Sequence, residues 1–303
     1  MKGLELSRRF WEELLRPALE RSCPELLLRI AAGLCGAGSD CLGYDDEFSH
    51  DHAYAAGCMV FVPESMPRDA VFALSTVYDR LPREFLGVPA EHRSRQGDGR
   101  YGVMTLESFF LPRTGGPGAP ENWRQWLSIP APYLAEAVSG EVFYDGSGEF
   151  SRIREEIRTG MPRDVWLKKL AARSALMAQS GQYNFPRCRR RGEEGAARLA
   201  CAEFVRESLG MIFLMNHRHM PFYKWAFRAA RELETLSDQV DRLEKLLIDP
   251  EEEAAESVCA AVIGRLRELE LTDGGWDFLE PHAYEIMARI RDPEIAALHV
   301  MEG

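Results

Sequence analysis

The sequence predicts an α+β protein, with an N-terminal mixed sheet and flanking helices followed by an all-helical C-terminal domain. Three observations predict it. Up to about residue 145, short apolar runs bounded by Gly and Pro alternate with segments of helical spacing. From about residue 150, apolar residues recur at helical spacing in one segment after another. No internal repeat and no low-complexity stretch interrupts either part. The expected division is therefore residues 1–149 and 150–303.

The elements follow in order. "MKGLELSRRFWEELLRPALE" is amphipathic and carries glutamates through its length, so it reads as a docked helix and not as a targeting sequence. "ELLLRIAAGLCG" ends in glycine and predicts a buried strand near 27–35. "AAGCMVFVPE" predicts a second, adjacent strand near 52–62, stopped by Pro63, with residues 38–51 as the link. Val71, Leu74, Val77, Tyr78 and Leu81 have helical spacing behind Pro67. "RYGVMTLESFF" predicts a third strand running into a short helix, and "RTGGPGAPEN" a loop. "NWRQWLSIPAPYLAEAVSG" is helical with a break at Pro130 and Pro132. "EVFYD" is a fourth strand, and Asp145 ends it or caps the next helix. Pro162 enters a long helix, in which Lys168 and Lys169 read as surface groups. The acids of "DPEEEAAE" suit the positive end of a helix dipole.

Composition excludes some classes. With 303 residues, 46% of them hydrophobic, the chain can bury a substantial core. A net charge of -11 argues against a protein held on nucleic acid or anionic membrane by global charge, so no DNA partner is expected, although a local basic groove is compatible with it. No apolar run approaches the ~20 residues of a membrane span. The seven cysteines form no C-x-x-C pair, which disfavours a zinc knuckle and suggests reduced thiols in a cytoplasmic protein.

The chemistry concentrates in "GLCGAGSDCLGYDDEFSHDHAY", residues 33–54. Gly38 and Ser39 follow the first strand, and glycine backbone N–H groups with a serine hydroxyl can hold phosphate oxygens. Asp51 falls at the expected start of the second strand, where a carboxylate facing a phosphate cradle would hold Mg²⁺. Residues two apart on a strand share a face, so a metal-binding pair would read Asp-x-Asp. Here the triplet is Asp51-His52-Ala53, and the second position is alanine.

With Gly43 and Ser49 included, "GSDCLGYDDEFSHDHAY" resembles the nucleotidyltransferase superfamily, the group of polymerase-beta-like and aminoglycoside nucleotidyltransferase-like enzymes. It is more closely similar to a bacterial family of uncharacterised proteins placed there. "EVFYDGSGEFSRIR", "LMAQSGQYNFPRCRRRGE" and "PFYKW" share that similarity. The resemblance implies a nucleotidyltransferase-like sheet domain that binds an NTP with Mg²⁺ or Mn²⁺ and transfers NMP to an acceptor hydroxyl on a small molecule, a protein or an RNA. Gly38, Ser39, Gly43 and Ser49 would bind the nucleotide. Asp51 would hold metal, and a later carboxylate would act as base. Glu107 is the candidate base, with a helix N-terminal acid as the alternative. Ala53 departs from the family's aspartate. Either another acid such as Asp45, Asp46 or Glu47 completes the site, or the chain is a catalytically impaired protein that binds a nucleotide or a partner.

A second polar block interrupts the helices. Gln179, Gln182, Tyr183 and Asn184 precede Arg187 and three further arginines. Amides and a tyrosine beside guanidinium groups could read a base, a sugar or an anionic tail, with an exposed basic helix end as the alternative. The resemblance makes this helical domain the other wall of a cleft. Tyr223 and Lys224 are further candidate substrate contacts. His217 and His219 would lie on different faces of a helix, which disfavours a metal pair there.

Overall fold

The computed structural model of the chain describes residues 1–51, 54–90 and 100–303, and of His50 and Asp51 the backbone alone. Position 53, and with it the Asp51/Ala53 pairing, lies outside the described residues. In chain order, α1 (Gly3–Phe10) runs through a π-helical turn into α2 (Arg16–Ser22). A 3₁₀ turn, Pro24–Arg29, leads to β1 (Ala31–Cys35), and β2 (Met59–Val62) follows the 33–54 stretch. Next come α3 (Arg68–Asp79), the small hairpin β3 (Glu84–Phe85) and β4 (Val88–Pro89), then β5 (Gly102–Thr105) and α4 (Leu106–Thr114). α5 (Trp123–Ser128), α6 (Ala131–Val138), β6 (Gly140–Asp145) and α7 (Glu149–Thr159) precede a purely helical remainder. That remainder is α8 (Arg163–Met177), a π-helical turn Ala178–Asn184, α9 (Phe185–Arg190), α10 (Glu194–Met215), α11 (Tyr223–Arg231), α12 (Val240–Ile248), α13 (Glu252–Glu268), α14 (Leu279–Met287) and α15 (Pro293–Ala296). The chain is α+β, as its pattern predicts.

Two compact units divide it. One comprises residues 1–121 and 133–160, the other 122–132 and 161–303. In the first unit a four-stranded mixed sheet has the order β5-β2-β1-β6. β1 is antiparallel to both β2 and β6, while β2 and β5 are parallel. The two strands expected to be adjacent are so, but β2 starts at Met59, later than the run suggests. The alternation of β2 covers both faces of the sheet. Val60 and Val62 join Leu6, Phe10, Trp11, Leu74 and Tyr78 on one side. On the other, Phe61 stacks on Phe150 of α7 at 4.0 Å and meets Phe109 of α4 edge-on at 5.1 Å. Each such aromatic pair is worth about 0.5–1.5 kcal/mol beyond burial. β1 approaches β6 so closely that a Cβ on Gly33 would lie 2.4 Å from the Glu141 carbonyl oxygen, at a register shift between Ala32 and Gly33.

The ends of the elements show local causes. Pro67 stands at the N-cap of α3 and Thr105 caps α4, its hydroxyl accepting from Ser108 N at 3.1 Å. Asp145 ends β6 and also holds the start of α7, accepting from Gly148 N and Ser151 N at 2.8 Å each.

In the second unit α8 packs against α10 and α14. Lys168 and Lys169 are not surface groups. Lys168 is fully buried, its Nζ donating to the carbonyls of Val300 (3.1 Å) and Glu302, and Lys169 donates to Leu127 O at 2.9 Å. Burial lowers both amines to a pKa of about 8. The reason is that α8 is buried around most of its circumference, so its lysines end against carbonyls supplied by distant segments. Glu207, also fully buried, lies between Arg173 and Arg206. Among the described residues no helix is long and apolar enough to cross a membrane.

Candidate functional site

The chain leaving β1 turns at once. Gly36 and Gly38 have φ of 100° and 125°, conformations that side chains rarely adopt. Ser39 O accepts from Leu42 N (3.2 Å) and Tyr44 N (2.7 Å), which closes the turn over Gly43. Gly36 N donates to Ser139 O at 3.3 Å, and Gly140 N donates to Cys41 O at 2.9 Å, tying the turn to the start of β6. Gly38, Ser39 and Gly43 are therefore brought together in one fixed loop.

Two arginines face that loop. A Cβ on Gly36 would lie 2.8 Å from Nη2 of Arg113, and one on Gly38 would lie 2.6 Å from Nη2 of Arg100. Arg113 sits in the last turn of α4. Its Nη1 donates to Phe109 O (2.5 Å), its guanidinium lies over the Phe109 ring at 4.2 Å, and Glu136 stands 3.8 Å from its Nε. The buried Nε of Arg113 has no hydrogen-bond partner among the described residues. Burial lowers the Arg113 pKa, and Glu136 opposes that shift. Arg100 is paired with Asp40, which also accepts from Cys41 N at 2.8 Å. Under the turn, burial raises Cys35 to about 11 and Cys41 to about 12. Burial thus favours the protonated form of both thiols. Sequence reasoning missed Arg100 and Arg113, since neither lies near the Gly-Ser turn in the chain.

The acids of the stretch have other partners. Asp45 is buried and accepts from Gly3 N at 2.7 Å, with Lys2 3.8 Å away, so it fixes the N-terminus of α1. Lys2 also donates to Gly43 O at 2.5 Å. Asp46 accepts from Ser49 N and Oγ, both at 3.1 Å, and Ser49 Oγ accepts from Asp46 N at 3.2 Å. That reciprocal pair starts a 3₁₀ turn, Glu47–Asp51. Asp51 thus ends a turn well before β2 instead of opening the strand, and the two-residue alternation expected there does not apply to it. Among the described residues no group of three His, Cys, Asp or Glu could hold a metal ion. Asp45 and Asp46 are instead seen bonded to the backbone of α1 and to Ser49.

Glu107 is not brought to the Gly38–Ser39 turn. Thr105 pairs with Val62, which lies beyond the Phe61–Ala31 pair, so Glu107 follows the end of the sheet away from Gly36. Five residues of β1 separate the two levels, roughly 17 Å. Glu107 is exposed in the first turn of α4, where its N–H donates to Glu64 Oε1 at 3.1 Å. α4 then runs back towards Gly36 and delivers Arg113. Of the described residues before β5, Arg100 reaches the turn, at Gly38.

In the helical unit the polar block divides. Gln182 is structural. Its Nε2 donates to Glu256 Oε2 (2.6 Å) and Asp277 O (3.0 Å), and its Oε1 accepts from Leu279 N (2.8 Å). Gln179, Tyr183, Asn184 and Arg187 are exposed, with Arg187 4.7 Å over the Tyr183 ring. Tyr223 and Lys224 are exposed too. Tyr223 packs on Phe222 at 4.3 Å, and Lys224 lies 5.0 Å over Trp225. His217 stacks on Trp166 at 5.0 Å and His219 on Trp126 at 6.3 Å.

A family described as a domain of unknown function (DUF4037) matches residues 126–226. The match agrees with the resemblance to a family of uncharacterised proteins read from the sequence. The matched segment holds "EVFYDGSGEFSRIR", the polar block and "PFYKW", but not the Gly38–Ser39 turn. No curated protein matches the sequence. Among solved structures the chain is similar to a nucleotidyltransferase-like protein from Exiguobacterium sibiricum, with 12% identity and a TM-score of 0.37 over 92% of this chain and 81% of that one.

Proposed function

We propose that the protein is a nucleotidyltransferase-like NTP-binding protein whose Gly36–Ser39 turn seats the triphosphate. The observation that carries this reading is the pair of guanidiniums against the turn, Arg113 at Gly36 and Arg100 at Gly38. A glycine turn that lets a planar, charged fork approach its backbone this closely is phosphate-binding chemistry. Asp40 pairs with Arg100 and Glu136 stands 3.8 Å from Arg113 Nε, so each guanidinium has one carboxylate beside it. Mg²⁺ or Mn²⁺ would arrive with the triphosphate, Asp51 being its candidate protein ligand. The exposed Gln179, Tyr183, Asn184, Arg187, Tyr223 and Lys224 are candidate contacts for a base or an acceptor.

This geometry favours binding over transfer. Asp45 and Asp46 already accept hydrogen bonds from Gly3 N and from Ser49, and Glu107 follows the end of the sheet away from the turn. Calorimetry with each of the four NTPs, with and without Mg²⁺, tests the reading, and labelled-nucleotide transfer is followed in parallel. The expected result is Mg²⁺-dependent binding with slow or no transfer. Arg113→Ala should weaken binding on the order of tenfold or more, as expected for loss of a charge-assisted contact, and Arg113→Lys by less. Absence of binding by all four NTPs would overturn the proposal, and brisk transfer would restore the enzyme reading.

A further inference from the structure

The loop between α13 and α14 holds a half-exposed tryptophan in a fixed pose. Trp276 is 50% exposed, yet its ring packs against Gly274, where an added Cβ would fall 2.0 Å from it. Its carbonyl accepts from His282 Nε2 at 2.9 Å, and the buried His282 ring meets the indole edge-on at 5.9 Å. The loop is bonded at nearly every step. Arg267 donates to Gly274 O at 2.6 Å, Gln182 donates to Asp277 O at 3.0 Å, and Arg289 donates to Leu271 O at 2.8 Å. An exposed aromatic side chain on so constrained a loop is already ordered for contact, so a ligand need not bear that entropy.

Beside it lies a depression of about 490 Å³ lined by Trp276, Tyr284, Pro281, Glu280 and Glu285. Tyr284 is 56% exposed, so two rings are open to a ligand. Glu285 Oε2 accepts from the Thr272 hydroxyl, from Asp273 N (3.0 Å) and from Gly274 N (3.2 Å). The Thr272 bond first, and the backbone donors after it, hold its carboxyl below the usual range. A fixed anion and two aromatic faces in one apolar hollow have a common complement. A cation with a greasy surface satisfies the ring quadrupoles and the carboxylates together. Inorganic cations do not, since their hydration suits neither ring. The net charge of -11 adds a field that draws cations to the molecule.

We infer that the Trp276–Tyr284 hollow is a binding site for a small organic ammonium ion, with the indole face and the Glu280 and Glu285 carboxylates as its contacts. The site is separate from the Gly36–Ser39 turn and does not rest on the nucleotide reading. The test uses the full chain labelled with 5-fluorotryptophan, the Trp276 resonance being assigned by its loss in Trp276→Leu. Choline, spermidine and 3,3-dimethylbutan-1-ol, the neutral isostere of choline, are titrated at constant ionic strength. The expected result is a saturable shift of Trp276 with the two cations, and binding of the neutral isostere roughly tenfold weaker. Glu280→Gln should weaken choline binding several-fold, and Trp276→Leu should abolish the calorimetric signal with the circular dichroism and Tm unchanged. Equal binding of choline and its isostere would make the hollow merely apolar and overturn the site. So would the absence of a saturable shift with both cations, or choline affinity unaltered in both Glu280→Gln and Glu285→Gln. A lysine peptide of equal charge that binds more tightly than either free cation would overturn the assignment to a small molecule.

Discussion

Gly181 shows how much one missing carbon can decide. A Cβ there would lie 2.2 Å from Cδ2 of Phe204, because the π-helical turn carries its backbone directly onto α10. In sequence this glycine reads as a weak point in a helix, whereas in the fold it is the contact itself. Phe204 is fully buried and has little room to yield. Gly181→Ala is therefore expected to destabilise the protein by about 1–3 kcal/mol, the range for overpacking a dense core, although alanine is the better helix former. Urea unfolding of the variant checks this, and a neutral or stabilising effect would show that propensity outweighs packing at this position. Gln182, its neighbour, carries the same lesson in polar form. Its residue type suggests a ligand contact, and three hydrogen bonds to distant segments give it a structural role.

Among the elements, α4 has two ends with different environments. Its start follows the parallel pair β2 and β5, with Glu107 exposed beside Glu64, and its last turn brings Arg113 to the glycine turn after β1. The antiparallel pairing of β1 with β2 is what separates them. Glu107→Gln is accordingly expected to leave both NTP affinity and any transfer rate as in the wild type. A loss comparable to that of Arg113→Ala would mean that the start of α4 shares the turn's site. Direct titration of the two variants side by side makes the comparison.

For the whole molecule, alkaline pH acts differently on the two units. In the sheet unit, burial raises Cys35 from 9.0 to about 11 and Cys41 to about 12, and raises Cys58 further still. The native unit keeps thiol protons that the unfolded chain releases, so its stability falls as pH rises through 9. In the helical unit, Lys168 and Lys169 are lowered from 10.5 to about 8. There the native state binds fewer protons than the unfolded chain between about 8 and 10.5, so stability rises with pH across that window. This gain offsets the opposite effect of Cys201 and Cys259, whose pKa values burial raises. Pulsed thiol alkylation read by mass spectrometry, normalised to the unfolded chain at each pH, follows both units at once. Protection of Cys35, Cys41 and Cys58 is expected to fall between pH 9 and 10 more steeply than that of Cys201 and Cys259. Lys169→Met should remove part of the difference.

What the sequence by itself determined is the local grammar. The run around Ala31–Cys35 and the run stopped by Pro63 form neighbouring strands, Pro67 and Pro162 stand before helices, Asp145 ends a strand and caps a helix, and the chain past Gly160 is helical. Each of these depends on residues a few positions apart, where steric limits on φ and capping bonds act directly. The Gly38–Ser39 turn was legible for the same reason. What only the tertiary structure decided is which groups meet that turn. Arg100 and Arg113 come to Gly38 and Gly36 from more than sixty residues away, Asp45 goes to the start of α1, and Lys168 goes inside to a carbonyl of residue 300. Side-chain alternation tells which face of a strand a residue takes, but not which end of the sheet it reaches. That is set by strand direction and register, which are properties of paired segments and not of either one alone.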